Sequence, residues 1–186
     1  PNDMEIKTGF FEVDSAQFAN ESMDKFITCR IDSAFNRDLG EEGYNLSVSS
    51  GTIRLNACTE KGAFYGKQTL KQLLSSRGIP CVEIKDAPRF SYRGLHIDVS
   101  RHFFPKEEII KLLDEMAYYK LNKFHFHLTD NGGWRIQIDK YPRLTSMGAF
   151  RTQCEWVEWW DKKDRTYLPE GTPNAYGVYY TKEDIR

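Results

Sequence analysis

Residues 92–130, YRGLHIDVSRHFFPKEEIIKLLDEMAYYKLNKFHFHLTD, decide the fold of the second half of this chain. An apolar strand is followed by a proline suited to a first helical turn, and then by a helix with Ile109, Leu112 and Met116 on one face. The run ends in a second apolar strand. A strand, a helix of this length and another strand predict a right-handed crossover between parallel strands, the unit that α/β barrels repeat.

Residues 1–87 show a different order of elements, which predicts an α+β domain. The expected elements are a strand over 5–13, a helix over 14–35, a hairpin over 43–57, a helix capped by Thr59 and a strand over 79–87. Residues 88–186 hold about two of the eight strand–helix units of a barrel, with a long loop over 151–176 and a helix capped by Thr181. The predicted fold is an α+β N-terminal domain followed by the first part of a (β/α)8 TIM barrel, truncated.

Composition disfavours several classes of partner. The chain has 26 Lys plus Arg against 27 Asp plus Glu, a net charge of -1, so no overall field favours nucleic acid or an anionic membrane. We expect no membrane span, because no apolar run approaches the ~20 residues that one needs. Cys29, Cys58, Cys81 and Cys154 form no C-x-x-C pair; buried thiols are the favoured interpretation, and one disulfide is left open.

Functional side chains in parallel α/β folds gather where the strands end. The candidates there are Asp98, Arg101 and His102 in DVSRHF, and His125, His127, Asp130 and Trp134 in FHFHLTDNGGW. Arg101 either donates to a carboxylate, a phosphate or paired hydroxyls, or forms a structural salt bridge with Asp98. Asp130 is an acid–base group, an orienter of a histidine, or a cap on the DNGG turn.

Two side-chain types keep further alternatives open. Trp134 and the loop tryptophans Trp156, Trp159 and Trp160 either stack on sugar faces or pack beneath their own loop. The pair His125 and His127 lies on one strand face, and an H-x-H spacing allows both rings to reach one ion. A metal-dependent barrel hydrolase is therefore an alternative hypothesis. For at least one of the two histidines, an inward ring satisfied by hydrogen bonds is the favoured interpretation, and we expect no metal.

Three runs of the second half resemble the opening of the catalytic barrel of glycoside hydrolase family 20, the β-N-acetylhexosaminidases. They are RGLHIDVSRHFFP, then LNKFHFHLTD with the following GWRI, then YPRLTSMGAFR, in the family's order and spacing. APRF and KGAFYGKQTLKQLL resemble the non-catalytic domain that precedes this barrel, and AYGVYYTKEDIR resembles the segment leading into the second barrel helix. Asn131 in NGGW departs from the family, which often has a second acid there.

The resemblance implies exo-acting removal of terminal β-linked N-acetylhexosamine, GlcNAc or GalNAc, by substrate-assisted retaining catalysis without a cofactor. It assigns Arg101 to the outer hydroxyls of the sugar and Asp130 to the active-site hydrogen-bond network. His127 and Trp134 are further candidates for substrate binding. In the family an adjacent Asp and Glu orient the acetamide and protonate the leaving oxygen. The adjacent acids of this chain lie in a loop or in helices, so we expect the chain alone to be inactive.

Other expectations concern the surroundings of the chain. We interpret it as the front of a longer protein, or as a partial unit supported by a partner, and we expect self-association through exposed sheet edges. An extracytoplasmic location, whether periplasmic, cell-surface, secreted or lysosome-like, is implied by the resemblance alone. The competing class is a non-catalytic carbohydrate-binding or interaction module in which Arg101 and the tryptophans bind glycan without cleaving it.

Overall fold

The structure, a computed structural model, describes residues 3–20, 23–34, 37–152, 155–161 and 165–186. The chain divides into two compact units: Pro1–Arg93 with Met116–Asn122, and Gly94–Glu115 with Lys123–Arg186. Of the helices in the described ranges, none has the length and apolar character needed to cross a membrane.

The first unit is built on a five-stranded sheet in the order β1-β5-β3-β4-β2. Its elements are β1 (Asp3–Phe11), α1 (Ser15–Asn20), β2 (Ile27–Ile31), β3 (Tyr44–Val48), β4 (Ile53–Ala57), α2 (Glu60–Leu73) and β5 (Ile79–Asp86). Alternate residues of the β3–β4 hairpin are buried, as its period-two pattern predicts, and they pack with Leu70 of α2 in one core. Thr59 caps α2 by accepting hydrogen bonds from the amides of Lys61 and Gly62. The predicted hairpin, helix and strand of this region are confirmed.

The helix predicted over 14–35 is wrong in its second half. Helix α1 ends at Asn20, and after a short 3-10 turn over Met23–Lys25 the chain enters β2, which pairs in parallel with β4. The apolar spacing was misleading because Phe18 and Phe26 do pack together, with ring centroids 5.5 Å apart, although they lie on different elements. The β-branched residues of ITCRI favour the strand, which the sheet edge then stabilises by backbone pairing. Residues 21–22 and 35 lie outside the described residues.

The predicted order of strand, helix and parallel strand is confirmed, mostly within the second unit. Strand β6 (Gly94–Asp98) pairs in parallel with β7 (Lys123–His127), and α3 (Lys106–Tyr118) connects them along the chain. Ile97, Phe124 and Phe126 pack on a small core around Val99, Ile109 and Tyr180. The phenyl face of β7 thus covers apolar residues of this unit, and the imidazole face lies opposite.

The remaining elements of this unit are short. They are β8 (Thr129–Asp130), β9 (Gly133–Trp134), α4 (Arg143–Ser146), α5 (Trp156–Asp161) and α6 (Lys182–Ile185). In its described residues, the predicted loop over 151–176 contains the short helix α5. Residues 153–154 and 162–164 of this loop lie outside the described residues. Thr181 caps α6 in a capping box with Asp184, which confirms the predicted helix start.

Candidate functional site

The ends of β6 and β7 bring four predicted side chains together: Asp98, Arg101, His127 and Asp130. The chain turns after β6 because Asp98 Oδ1 accepts hydrogen bonds from the backbone amides of Ser100, at 2.9 Å, and Arg101, at 3.1 Å. This turn directs the Arg101 guanidinium between two carboxylates. Its Nη1 lies 2.7 Å from Asp98 Oδ2, and its Nη2 lies 2.8 Å from Asp130 Oδ2.

Asp130 is held as a carboxylate. The backbone amide of Asn131 donates to its Oδ1 at 2.6 Å, and together with His127 and Arg101 this amide lowers the pKa of Asp130 below its ordinary value. Because Asp130 is ionised at neutral pH, it can accept hydrogen bonds from a ligand or orient a partner. It cannot donate the proton that a leaving oxygen requires.

His127 supplies a third donor to Asp130, after the Asn131 amide and Arg101. Its Nε2 lies 3.1 Å from Asp130 Oδ2 and 3.3 Å from Nη1 of Arg101. A carboxylate only accepts and a guanidinium only donates, so one ring nitrogen cannot form both hydrogen bonds at once. The shorter contact to the charged acceptor is the hydrogen bond, which places a proton on Nε2. Arg101 is then a neighbour of the ring and not its partner.

His125 and His127 of the H-x-H pair turn to different partners. His125 Nδ1 lies 3.0 Å from Nδ1 of His96, its neighbour across the parallel pair, whereas His127 contacts Asp130. The centroids of the two rings are 6.1 Å apart. In the part of the chain that the structure describes, no group of three or more His, Cys, Asp or Glu side chains has the arrangement of a metal site.

His102 and the tryptophans are placed differently from one another. His102 lies edge-on against Phe104, with centroids 5.0 Å apart. Trp134 donates from Nε1 to the carbonyl of Ile136 at 2.8 Å, so its polar edge is used within the fold. Trp156 reaches the cluster, because its ring lies 5.4 Å from Cζ of Arg101. Trp159 is buried beneath its own loop.

Two residues that sequence reasoning did not single out lie beneath this cluster: Arg135 and Arg151, both almost fully buried. Arg135 donates to the carbonyls of Val99 (3.1 Å), Ser100 (3.0 Å), Ala149 (2.6 Å) and Val178 (2.9 Å). Arg151 donates to the carbonyls of Gly132 (2.7 Å) and Arg101 (2.9 Å). Burial lowers the pKa of Arg135 to about 10, so it remains a cation at neutral pH. The only signal in the sequence was their place in GWRI and GAFR, two of the runs that carry the family resemblance.

The adjacent acids of the chain lie away from a strand end, as expected. Glu107–Glu108 and Glu183–Asp184 occupy the first turns of α3 and α6, and Asp114–Glu115 lies within α3. Glu42, of Glu41–Glu42, forms a salt bridge with Arg93 at 2.7 Å. Cys29, Cys58 and Cys81 are thiols in the structure, and Cys154 lies outside the described residues.

Comparison with known proteins gives the same result for both halves of the chain. The sequence model described as "Glycosyl hydrolase family 20, catalytic domain" matches residues 90–186, and the one described as "Glycosyl hydrolase family 20, domain 2" matches residues 6–87. A β-hexosaminidase of Vibrio vulnificus is 44% identical over 150 residues, which are 77% of this chain and 17% of that protein. An N,N'-diacetylchitobiase of Vibrio harveyi is 45% identical over 121 residues, 63% of this chain and 14% of that protein.

Solved structures agree with the sequence relatives. The crystal structure of a GH20 exo β-N-acetylglucosaminidase from Vibrio harveyi, in complex with N-acetylglucosamine, superposes with a TM-score of 0.79 at 30% identity. The superposition covers 100% of this chain and 32% of the Vibrio harveyi chain. A β-N-acetylhexosaminidase from Bacteroides fragilis gives 0.75 at 26% identity, covering 100% of this chain and 40% of that one. The chain spans only 17% to 24% of the first sequence relatives.

Proposed function

Because this chain belongs to glycosyl hydrolase family 20, we propose that it is part of an exo-acting β-N-acetylhexosaminidase that removes terminal β-linked N-acetylhexosamine from glycans. In this proposal β6, α3 and β7 are the first part of a (β/α)8 barrel. Arg101 binds the outer hydroxyls of the terminal sugar, and Asp130 belongs to the hydrogen-bond network around it. His127 holds Asp130, and Trp134 contributes to the wall of the pocket.

The observation that carries the proposal is the position of Arg101 between two carboxylates. The carboxylates of Asp98 and Asp130 already neutralise the charge of the Arg101 guanidinium. They would also repel an anionic ligand such as phosphate as it approached. A sugar hydroxyl meets no such repulsion, because it can accept from a remaining N–H of the guanidinium and donate to Asp130. A neutral polyhydroxyl ligand therefore fits this charge pattern better than a phosphate or a carboxylate.

The reaction proposed for the longer protein is substrate-assisted. The acetamide oxygen of the substrate forms a bond to the anomeric carbon while the bond to the leaving oxygen breaks, and that oxygen takes a proton from a general acid. Asp130 is ionised and cannot be this acid. The general acid and the carboxylate that orients the acetamide are proposed to lie in a segment outside this chain, so the 186-residue chain alone is inactive.

Release of chromophore from an aryl β-N-acetylglucosaminide tests this function. The assay compares the 186-residue chain with the product of its complete reading frame, with the galacto-configured acetamido sugar alongside and an aryl β-glucoside as control. We expect cleavage of the acetamido sugars by the complete product only. If the complete product cleaves none of them, the enzymatic proposal is wrong and Arg101 is to be tested as a residue of a glycan-binding module.

Two further properties are part of the same proposal. We propose an extracytoplasmic location for the longer protein, which fractionation of the source cells tests. We also propose that the 186-residue chain self-associates through the edges of its sheets. A monomer by light scattering across a hundredfold range of concentration, on the order of 1 to 100 μM, would contradict that.

A further inference from the structure

We propose that Arg151 is a positioning residue that fixes the spacing between Arg101 and Asp130. This inference rests on the proposed function and concerns how the sugar-binding pair is held. Arg101 and Asp130 come from two loops, one after β6 and one after β7, and each of the two side chains is 31% exposed to solvent. A pair built on two loops binds a ligand well only if the distance between the loops is fixed.

The guanidinium of Arg151 lies behind both loops and bonds to each. Nη1 donates to the carbonyl of Gly132, two residues after Asp130, and Nη2 donates to the carbonyl of Arg101 itself. These two carbonyls are held by the two ends of one rigid planar group, which sets their separation. A lysine in this place would bring one nitrogen and could not reproduce the fork.

Arg151 is itself firmly anchored. Its backbone amide and carbonyl both pair with Tyr176, at 2.8 and 2.9 Å, and its guanidinium lies 4.7 Å from the centroid of the Tyr176 ring. The Tyr176 hydroxyl accepts a hydrogen bond from the amide of Phe103, in the Arg101 loop. The backbone of Arg151 also forms an isolated antiparallel β-bridge with Tyr167. The Tyr167 hydroxyl donates a hydrogen bond of 2.6 Å to the carbonyl of Asn131, the residue after Asp130. Both loops are thus tied to Arg151 by more than one route.

The glycine after Asn131 shows how little room this arrangement leaves. A Cβ on Gly132 would lie 3.2 Å from Cα of Arg101 and 3.2 Å from the carbonyl oxygen of Ser100. The backbones of the two loops are in close contact at this point. We therefore expect the methyl group of Gly132→Ala to increase the distance between the loop of Arg101 and the loop of Asp130. This substitution perturbs the spacing without changing the Arg151 side chain itself.

The test uses the product of the complete reading frame with Arg151→Lys, Gly132→Ala and the control Arg143→Lys, an exposed arginine on α4. We measure kcat and KM on the aryl N-acetyl-β-glucosaminide, Ki for free N-acetylglucosamine, and the melting temperature. For Arg151→Lys we expect kcat/KM to fall by about 10- to 100-fold, with KM and Ki rising together. Gly132→Ala changes KM and Ki in the same direction, and Arg143→Lys changes neither.

A merely structural role gives a different pattern. It lowers the melting temperature and the yield of active enzyme but leaves KM and Ki unchanged. A double-mutant cycle sharpens the distinction: if Arg151 acts through Arg101, Arg151→Lys costs less than about threefold in kcat/KM when Arg101 is already lysine. Equal losses in both backgrounds would overturn the proposal, as would an unchanged KM in the single variant.

One arm of the experiment does not depend on activity. The pKa of Asp130, followed by its carboxyl carbon resonance in the 186-residue chain, should rise toward the ordinary value in Arg151→Lys and stay in place in Arg143→Lys. If the wild-type complete product cleaves no acetamido sugar, the proposed function fails, and this titration still decides the positioning role. An unmoved Asp130 titration in Arg151→Lys would refute that role.

Discussion

Tyr44→Phe is the substitution for which the structure allows the most explicit calculation. Tyr44 is 1% exposed, and its hydroxyl lies 2.7 Å from Asp86 Oδ2, 2.6 Å from Thr69 Oγ1 and 2.9 Å from Nζ of Lys120. The hydroxyl has one proton, and Asp86 can only accept, so the proton goes to Asp86. Thr69 and Lys120 must then donate to the two lone pairs of the Tyr44 oxygen.

Removing the hydroxyl therefore breaks three hydrogen bonds at once. Asp86 and Lys120 also form a salt bridge at 3.1 Å, which the substitution leaves intact. A hydrogen bond to a charged group contributes about 1.5–3 kcal/mol, and a neutral one about 0.5–1.5 kcal/mol. Because Lys120 keeps Asp86 as a partner, we count one charged and one neutral bond, which gives a loss of roughly 2–4.5 kcal/mol. For a chain of 186 residues this lowers the melting temperature by about 4–18 °C.

Urea unfolding followed by fluorescence and far-UV circular dichroism measures this loss. Two probes are needed because the chain has two compact units, and a single transition cannot be assumed. Tyr92→Phe is the matched control, since Tyr92 is 67% exposed, and it should stay within about 0.5 kcal/mol of wild type. A loss below about 0.5 kcal/mol for Tyr44→Phe would show that the hydroxyl network contributes no net stability and would refute the calculated loss.

Three further outcomes test other parts of the structure. Gly133→Ala places a Cβ 2.5 Å from a buried guanidinium carbon and should cost about 1–3 kcal/mol in urea unfolding, whereas Gly51→Ala, with nothing within 4 Å, should be neutral. Thr59→Ala removes the acceptor at the start of α2 and should cost about 1 kcal/mol, most of which Thr59→Ser restores. The folded-state pKa values of Asp130 and Asp184 are lowered, to about 2 for Asp184, so their contribution is complete above the unfolded value of about 3.9 and is lost as the pH falls through the folded values. In a pH series of urea unfolding, loss of this contribution already between about pH 7 and 5 would contradict it.

Local patterns predicted the fold where local and tertiary forces agree. The β3–β4 hairpin, the cap at Thr59 and the β6-α3-β7 crossover all follow from periodicity and capping chemistry, which act within a few residues. The strand Ile27–Ile31 was missed because it is defined by its pairing with β4, a partner more than 20 residues away. The spacing of apolar residues within one segment carries no information about a distant strand with which that segment pairs.

Part of the site was predicted from the same principle. Because strand ends of a parallel pair lie at one edge, the sequence placed Arg101, His127 and Asp130 together, and the structure brings them within hydrogen-bonding distance. The residue pattern alone did not resolve whether Arg101 pairs with Asp98 or faces a ligand. In the structure the salt bridge with Asp98 exists, and it uses one N–H of a group that has five, so the two interpretations are compatible.

The buried arginines Arg135 and Arg151 could not be predicted as site residues, and the reason is physical. Motif reasoning assigns chemistry to side chains by what they offer a ligand, whereas the hydrogen bonds given above for these two guanidinium groups go to backbone carbonyls. Any residue can supply a carbonyl, so no residue type marks the positions that receive the bonds. The arginines hydrogen-bond to the backbone of residues 99–101 and of Gly132, and in our proposal these bonds fix the spacing of the two loops. If Arg101 and Asp130 bind a sugar as proposed, the geometry of that pair depends partly on side chains that the sugar does not touch, and variants of those side chains should change affinity before they change chemistry.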